Sequence, residues 1–309
     1  MRPFMEALRA LRLLVYPTRT RKLYELGVLG DSFLDSDPAL FIKRKHYLSR
    51  YFSVERRIGN VLVHYSYVKS HFDDAYLRRV YGEDGLVLWE DRLGDVRVRL
   101  RLETSGENRC EGDASVVLDI NGRDTADMAY SFVDATSFGL QPGTTMFVTR
   151  SQIRPGSRDA LGLFRHCYAH TSPQYFCLAA ITGIALANDM SSIAAIRGKA
   201  QICYQPQFDA SFRKSYCDFW EQFGARAADH QAYLLDVPLS LPPLASLPPK
   251  RRARAAKRRQ YWTAITEGAE STIKAHRVQS ATSAASNVYA CALQGLAMAL
   301  PDLVGLLQV

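Results

Sequence analysis

The stretch SVVLDINGRDTADMAYSFVD, residues 115–134, reads as two strands folded about Asn121-Gly122. Apolar and polar residues alternate in both halves, the pattern of strands with one buried face. Asn-Gly is the dipeptide that most readily takes the paired positive φ angles of a tight hairpin, although the polar residues after it would also suit a longer loop. Working outward, LVLWE, VRVRLRLE and TMFVTRSQ are further short strands. Turn signals at Gly94-Asp95, Ser105-Gly106 and Pro142-Gly143 separate them, and the whole predicts an antiparallel meander.

Beyond residue 157 the period changes. DALGLFRHCYAH predicts a short helix, and PQYFCLAAITGIALAND a strongly apolar one with Ser172 at its N-cap and Pro173 at its first position. SSIAAIRG reads as a buried strand, 209–223 as a helix stopped by Gly224, and AYLLDVPL as a last strand. This order predicts an α/β (α+β) fold with a mixed, mostly antiparallel sheet flanked by helices, not a doubly wound one.

The flanks differ in character. Residues 1–80 form a helical region: 4–15 place Phe4, Leu8, Leu11 and Val15 on one face, and 41–75 are aromatic, basic and compatible with helix. The core spans 81–238, and LSLPPLASLPP (239–249) is an extended proline-rich linker. Residues 250–309 are a C-terminal extension. Seven Lys/Arg and no acid lie between 250 and 259, and the extension predicts a basic helix followed by an apolar one over 283–309, whose one charge is Asp302.

Hydrophobic residues make up 47% and charged ones 23%, ordinary for a globular chain, but the net charge of +8 points to an anionic partner. Six scattered cysteines (110, 167, 177, 203, 217, 291), with no CxxC pair, suit buried thiols in a reducing compartment. The N-terminus has Glu6, Arg9 and Arg12 where a signal peptide needs a continuous apolar core. No run reaches the roughly 18–20 apolar residues of a spanning helix. The expectation is a cytoplasmic protein, with peripheral inner-membrane contact through 1–15 and 283–309 as an option.

Few residues announce chemistry. In TMFVTRSQIRPGSRD a strand runs into a loop with Gln152, Arg154, Gly156, Ser157 and Arg158 before a helix, where free N–H groups and arginines suit a phosphate. Its plain alternative is a solvent-facing turn. The helix start at Ser172 is a second such place, unless Ser172 is simply a cap. There is no GxGxxG, P-loop or GxSxG motif. His166 and His170 lie one turn apart without a third ligand, so no metal is expected. Glu111 and Asp113 precede the SVVLDI strand, where an acid could serve as a general base if buried, or be a solvated turn carboxylate. The basic run lacks interleaved aromatics and nucleic-acid signatures, so nucleic acid is a weaker expectation than an acidic carrier or anionic lipid.

HYLSRYFSVERRIGNVLVHY, the EGDASVVLDINGRDTADMAYSF hairpin, the helix after Pro173, YCDFWEQFG and KRRARAAKRRQYW together resemble the VirK/YbjX family, over about residues 40–265. That resemblance implies a setting of virulence and envelope or antimicrobial-peptide resistance, without a reaction. The element order also resembles the GNAT acyltransferase fold. FWEQFGA looks like the helix end where that fold carries a tyrosine proton donor, but Trp220 and Ala225 depart from it. Tyr216, one turn earlier, is the nearest phenol. The loop Gln152-Ile-Arg-Pro-Gly156-Ser157 keeps the first glycine of the fold's pyrophosphate loop and lacks the second.

The resemblance implies an acyltransferase that uses acyl-CoA or an acyl-phosphopantetheine carrier as co-substrate, with acyl carrier protein as a candidate partner. The acceptor, an amine or hydroxyl of a peptide, lipid or small molecule, would attack the thioester directly. Glu111 would be the base and Tyr216 the acid. Backbone N–H groups near Val148–Arg150 would hold the thioester carbonyl, and the loop 152–158 or Ser172 the phosphopantetheine. A non-catalytic envelope-associated factor and a nucleic-acid-binding protein are the alternatives.

Overall fold

The computed structural model describes residues 15–26, 44–82, 85–241 and 243–278. Among the described residues three helices precede the sheet: α1 (Pro17–Glu25), α2 (Val54–His71) and α3 (Asp74–Tyr81). The caps are local chemistry, since the side chains of Ser53 and Asp73 accept from the N–H groups of Arg56 and Tyr76. A meander follows: β1 (Leu86–Leu93), β2 (Val96–Thr104), β3 (Ala114–Ile120), β4 (Arg123–Asp134) and β5 (Thr144–Ile153). Helices α4 (Arg158–Cys167) and α5 (Pro173–Ala187) lead to β6 (Ser192–Ile196). Next, α6 (Asp209–Arg213) passes through a π turn (Lys214–Asp218) into α7 (Phe219–Glu221). The hairpin β7 (Arg226–Ala227) and β8 (Ala232–Asp236) precedes α8 (Pro249–Ala275).

The eight strands of the described residues form one sheet in the order β1-β2-β3-β4-β5-β6-β8-β7. Every neighbouring pair is antiparallel except β5 and β6. The fold is therefore the mixed, mostly antiparallel sheet with flanking helices that the alternation predicts. The hairpin at its centre closes in two residues, with Asn121 and Gly122 at φ 51° and 82° and Ile120 opposite Arg123. The two-residue strand β7 was not legible in the sequence.

Register sorts the meander into two faces. Leu100, Leu118 and Ala126 stand opposite one another, as do Leu102, Val116 and Met128, and all are buried. The alternate rows carry charge: Arg99 opposite Asp119, Arg101 opposite Val117 and then Asp127, Glu103 opposite Ser115. Facing pairs of opposite sign hold such rows in register.

Helix α5 is apolar on all sides because it is covered on all sides, by the sheet and by α8. At their crossing Gly183 lies under Thr266, where a Cβ would come within 2.3 Å of the Thr266 carbonyl oxygen. The Thr266 hydroxyl donates to the Ala179 carbonyl at 3.1 Å. Residues 250–259 form the largely exposed first part of α8, with Ala255 buried and Arg259 half-buried, while Trp262, Ile265, Ala269 and Ile273 are core. The proline-rich stretch before it contains a 3-10 turn at Leu244–Ser246, and Leu239 packs on the core. Residues 4–14 and the apolar stretch 283–309 lie outside the described residues.

Candidate functional site

Strands β5 and β6 pair only at Phe147–Ala194 and Val148–Ala195. Strand β5 runs on to Ile153, but β6 ends at Ile196 and the chain turns away. At this point β5 carries a bulge: Ala129 stands opposite Arg150 and Tyr130 opposite Val148, leaving Thr149 as the extra residue. A bulge bends the strand and re-aims its side chains. The two parallel strands thus splay, and the π turn after α6 fills part of the gap. A cavity of about 340 Å³ remains, lined by Ser151, Gln152 and Ile153 of β5, Gln174 of α5, and Phe212 and Tyr216.

Glu111 ends the 3-10 turn between β2 and β3 and is only 6% exposed. The solvated-turn alternative fails for it. Gly112 explains how: at φ 132° it lets the chain cross so close to β4 that a Cβ would sit 2.8 Å from the Tyr130 nitrogen. The Thr149 hydroxyl at the bulge donates to the Glu111 carbonyl. On the Glu111 carboxylate, Oε1 accepts from Gln201 Nε2 and from the Cys203 thiol at 3.3 Å, and Oε2 lies 3.7 Å from Arg150 Nη1.

Tyr216 is buried beside this cluster, and its hydroxyl accepts from the Ser151 N–H at 3.4 Å. Burial first, and the Glu111 charge second, push its phenol far above the ordinary tyrosine value, so it keeps its proton. Segment 47–52 ties the two loops together: the Leu48 N–H donates to the Cys110 carbonyl and the Arg50 N–H to the Ala200 carbonyl.

Asp113, the other acid singled out before β3, is also buried but differently engaged. Its carboxylate accepts from the hydroxyls of Tyr47 at 2.5 Å, Ser131 at 2.6 Å and Tyr65 at 3.2 Å. That network engages both carboxylate oxygens and anchors α2 to the start of β3.

From Arg150 the charges run on across the sheet. Its Nε and Nη2 grip Asp127 bidentately, both at 2.7 Å. Arg154 joins Asp127 at 2.9 Å and Asp124 at 2.9 Å, and Arg101 joins Asp124 at 2.8 Å. Arg154 is thereby committed to carboxylates, not held out toward the loop. Gly156 takes φ 75°, and the Ser157 hydroxyl lies buried against the Asp124 carbonyl at 3.4 Å. Arg158 is exposed at the start of α4, and Ser172 caps α5 by accepting from the Tyr175 N–H. Val148 is core, and Gln152 reaches the cavity.

The structure thus brings Glu111, Arg150 and Tyr216 together, with Gln152 on the adjoining cavity. It leaves Arg158 and Ser172 on other elements. Sequence reasoning missed Asp127, Gln201 and Cys203. Only Asp127 had a signal, as a charge in phase with Asp119 and the arginines of β2 on the polar face of the strands. Trp220, where the resemblance expects a phenol, is wholly buried and donates to the Ile196 carbonyl at 3.0 Å. Among the described residues no group of His, Cys, Asp or Glu is placed to hold a metal ion. Nor, among them, is any helix long and apolar enough to cross a membrane.

These features define a mixed-sheet protein with one splayed parallel pair and a buried carboxylate–guanidinium–phenol cluster at the splay. The chain belongs to the family described as protein of unknown function DUF535, whose family model matches residues 9–271. No curated protein and no solved structure matches the chain.

Proposed function

We propose that the protein is an acyltransferase that moves an acyl group from a CoA or acyl-carrier-protein thioester to an amine or hydroxyl of a peptide, lipid or small molecule. The observation that carries this reading is the splay of β5 from β6 after two paired residues, with a cavity at its open end. A strand edge released from its neighbour offers backbone N–H groups to an extended thioester. That arrangement, a meander followed by a single splayed parallel pair, is also the one the GNAT resemblance implies.

The side chains fit the roles. Glu111 is desolvated and within hydrogen-bond reach of an exposed nucleophile, the geometry a general base needs. Tyr216 retains its proton and stands beside it, suited to protonating a departing thiolate. Backbone groups near the Thr149 bulge would hold the carbonyl oxygen as charge builds on it. Three carboxylates within 4 Å already hold Arg154, so the phosphate contacts fall to other cations. Arg158 and the exposed cations of α8 are better placed to meet an anionic carrier. The VirK/YbjX resemblance adds an envelope setting, which would favour a lipid or peptide acceptor.

Native mass spectrometry with acetyl-CoA, octanoyl-CoA, palmitoyl-CoA and the corresponding acyl carrier proteins tests the reading. Binding of at least one donor is expected, and binding of none would sink it. Tyr216→Phe should keep donor affinity and lose about 10²-fold in transfer rate.

A further inference from the structure

The Glu111 cluster holds more than a direct transfer requires. Cys203 reaches solvent while its thiol is part-buried against Glu111, whereas Cys110 and Cys177 are buried. Its thiol donates to Glu111 Oε1 at 3.3 Å. Gln201 locks the pair, giving its Nε2 hydrogen bond to that carboxylate while its Oε1 accepts from the Cys203 N–H at 2.5 Å. A thiol hydrogen-bonded to a buried, oriented carboxylate is the nucleophile–base–orienter arrangement of covalent catalysis.

A second observation is independent of the cysteine. Arg150 is 2% exposed, and its Nη1 has no hydrogen-bond partner although its other nitrogens are taken by Asp127. A buried donor left unmatched costs about 1–3 kcal/mol and calls for an acceptor. Nη1 lies on the Glu111 side of the guanidinium, 3.7 Å from Oε2, so it is aimed into the cluster. A carbonyl oxygen seated there would satisfy it, and would be stabilised further as it became an oxyanion.

We infer that Cys203 is the first acceptor of the acyl group, so that transfer passes through an acyl-cysteine. This rests on the acyltransferase reading above and deepens it. The Cys203 sulfur attacks the thioester carbonyl carbon as its proton passes to Glu111, and Arg150 Nη1 donates to the oxygen. The donor's C–S bond breaks, and its sulfur leaves with a proton from Tyr216. The proton held by Glu111 then restores the phenol. One thioester replaces another, so no outside reagent is consumed. The acceptor amine or hydroxyl next attacks the acyl-cysteine and returns the thiol.

The surroundings explain why a base is needed. Burial first, and the Glu111 charge second, push the Cys203 thiol up to about 12. It therefore holds its proton until the new bond forms. Glu111→Gln should accordingly have opposite effects on two reactions. It should slow acylation by removing the base. It should also speed simple alkylation at about pH 8, because loss of the neighbouring anion lets more thiolate form.

The full chain is treated with p-nitrophenyl acetate, which needs no carrier recognition, and with octanoyl-CoA. The expected result is a burst of one nitrophenolate per chain, with the acetyl group mapped to Cys203 and released by neutral hydroxylamine. Cys203→Ala abolishes the burst with no change in the far-ultraviolet circular dichroism. Glu111→Gln slows the burst about tenfold or more while raising the iodoacetamide rate at Cys203. A burst that survives Cys203→Ala, or acetyl mapped to another residue, overturns the inference. So do equal losses in both reactions of Glu111→Gln. If octanoyl-CoA binds and Cys203→Ala transfers octanoate at the wild-type rate, the acyl-cysteine falls and the acyltransferase stands. If no thioester binds at all, both fall.

Discussion

Asp113 and Glu111 are two residues apart, yet their surroundings give them opposite capacities. Three hydroxyls converge on Asp113 and tie both its oxygens to the scaffold. Asp113→Asn replaces one of those acceptor oxygens by a donor in a buried site. A loss of about 3 kcal/mol is expected from the urea midpoint, against about 1 kcal/mol for Tyr65→Phe, which removes a single bond. Between the two acids, Gly112 sets the geometry. Gly112→Ala forces a side chain onto φ 132° and onto the Tyr130 nitrogen. It should cost about 2–3 kcal/mol. Because Glu111 is attached to the displaced peptide, any acyl-transfer rate should fall more steeply than stability does.

At the scale of elements, α8 is two helices in one. Its apolar half, with Trp262, Ile265, Ala269 and Ile273, is core. Its first half repels itself, because Arg254 has Lys250 and Arg258 one turn away on either side and Arg251 and Lys257 at three residues. Arg254→Glu converts those contacts into attractive ones, with glutamate four residues ahead of Arg258 in the favourable orientation. It should raise stability by about 0.2–0.5 kcal/mol in low salt. The same variant should weaken binding to anionic vesicles or an acidic carrier protein, measured by co-sedimentation. A self-repelling run kept on a helix makes sense if a partner neutralises it.

For the whole molecule, charge and core sit in different parts of α8. The chain has 39 cations against 31 acids, and residues 250–259 hold seven of the cations without an acid. The remainder is nearly balanced, so an anionic partner would be met chiefly at this one helix. The other half of α8 covers α5, which is buried along almost its whole length. A chain ended after Pro248 would bare that apolar surface, and we expect it to lose cooperative urea unfolding and to aggregate in gel filtration. A merely appended tail would leave both measurements unchanged.

The sequence by itself determined the local elements. Alternation marked β1 to β5, Asn121-Gly122 marked the hairpin, Ser172-Pro173 marked the start of α5, and the lack of acids in 250–259 marked a helix face that water must cover. Each is a short-range preference of backbone or side chain, written within a few residues. The helix 209–223 was legible as such, but the π turn that brings Tyr216 to the cavity was not. Nor was the packing of α8, because its basic half masks the period of its apolar half. Only the tertiary structure decided that Glu111 is buried, that three hydroxyls hold Asp113, and that Arg150, Gln201, Cys203 and Tyr216 gather around one carboxylate. Those residues come from loops, a strand and a helical turn spread between positions 111 and 216. What unites them is the register of β4 on β5, the Thr149 bulge and the early parting of β5 from β6. Such long-range geometry leaves no periodic trace in the sequence.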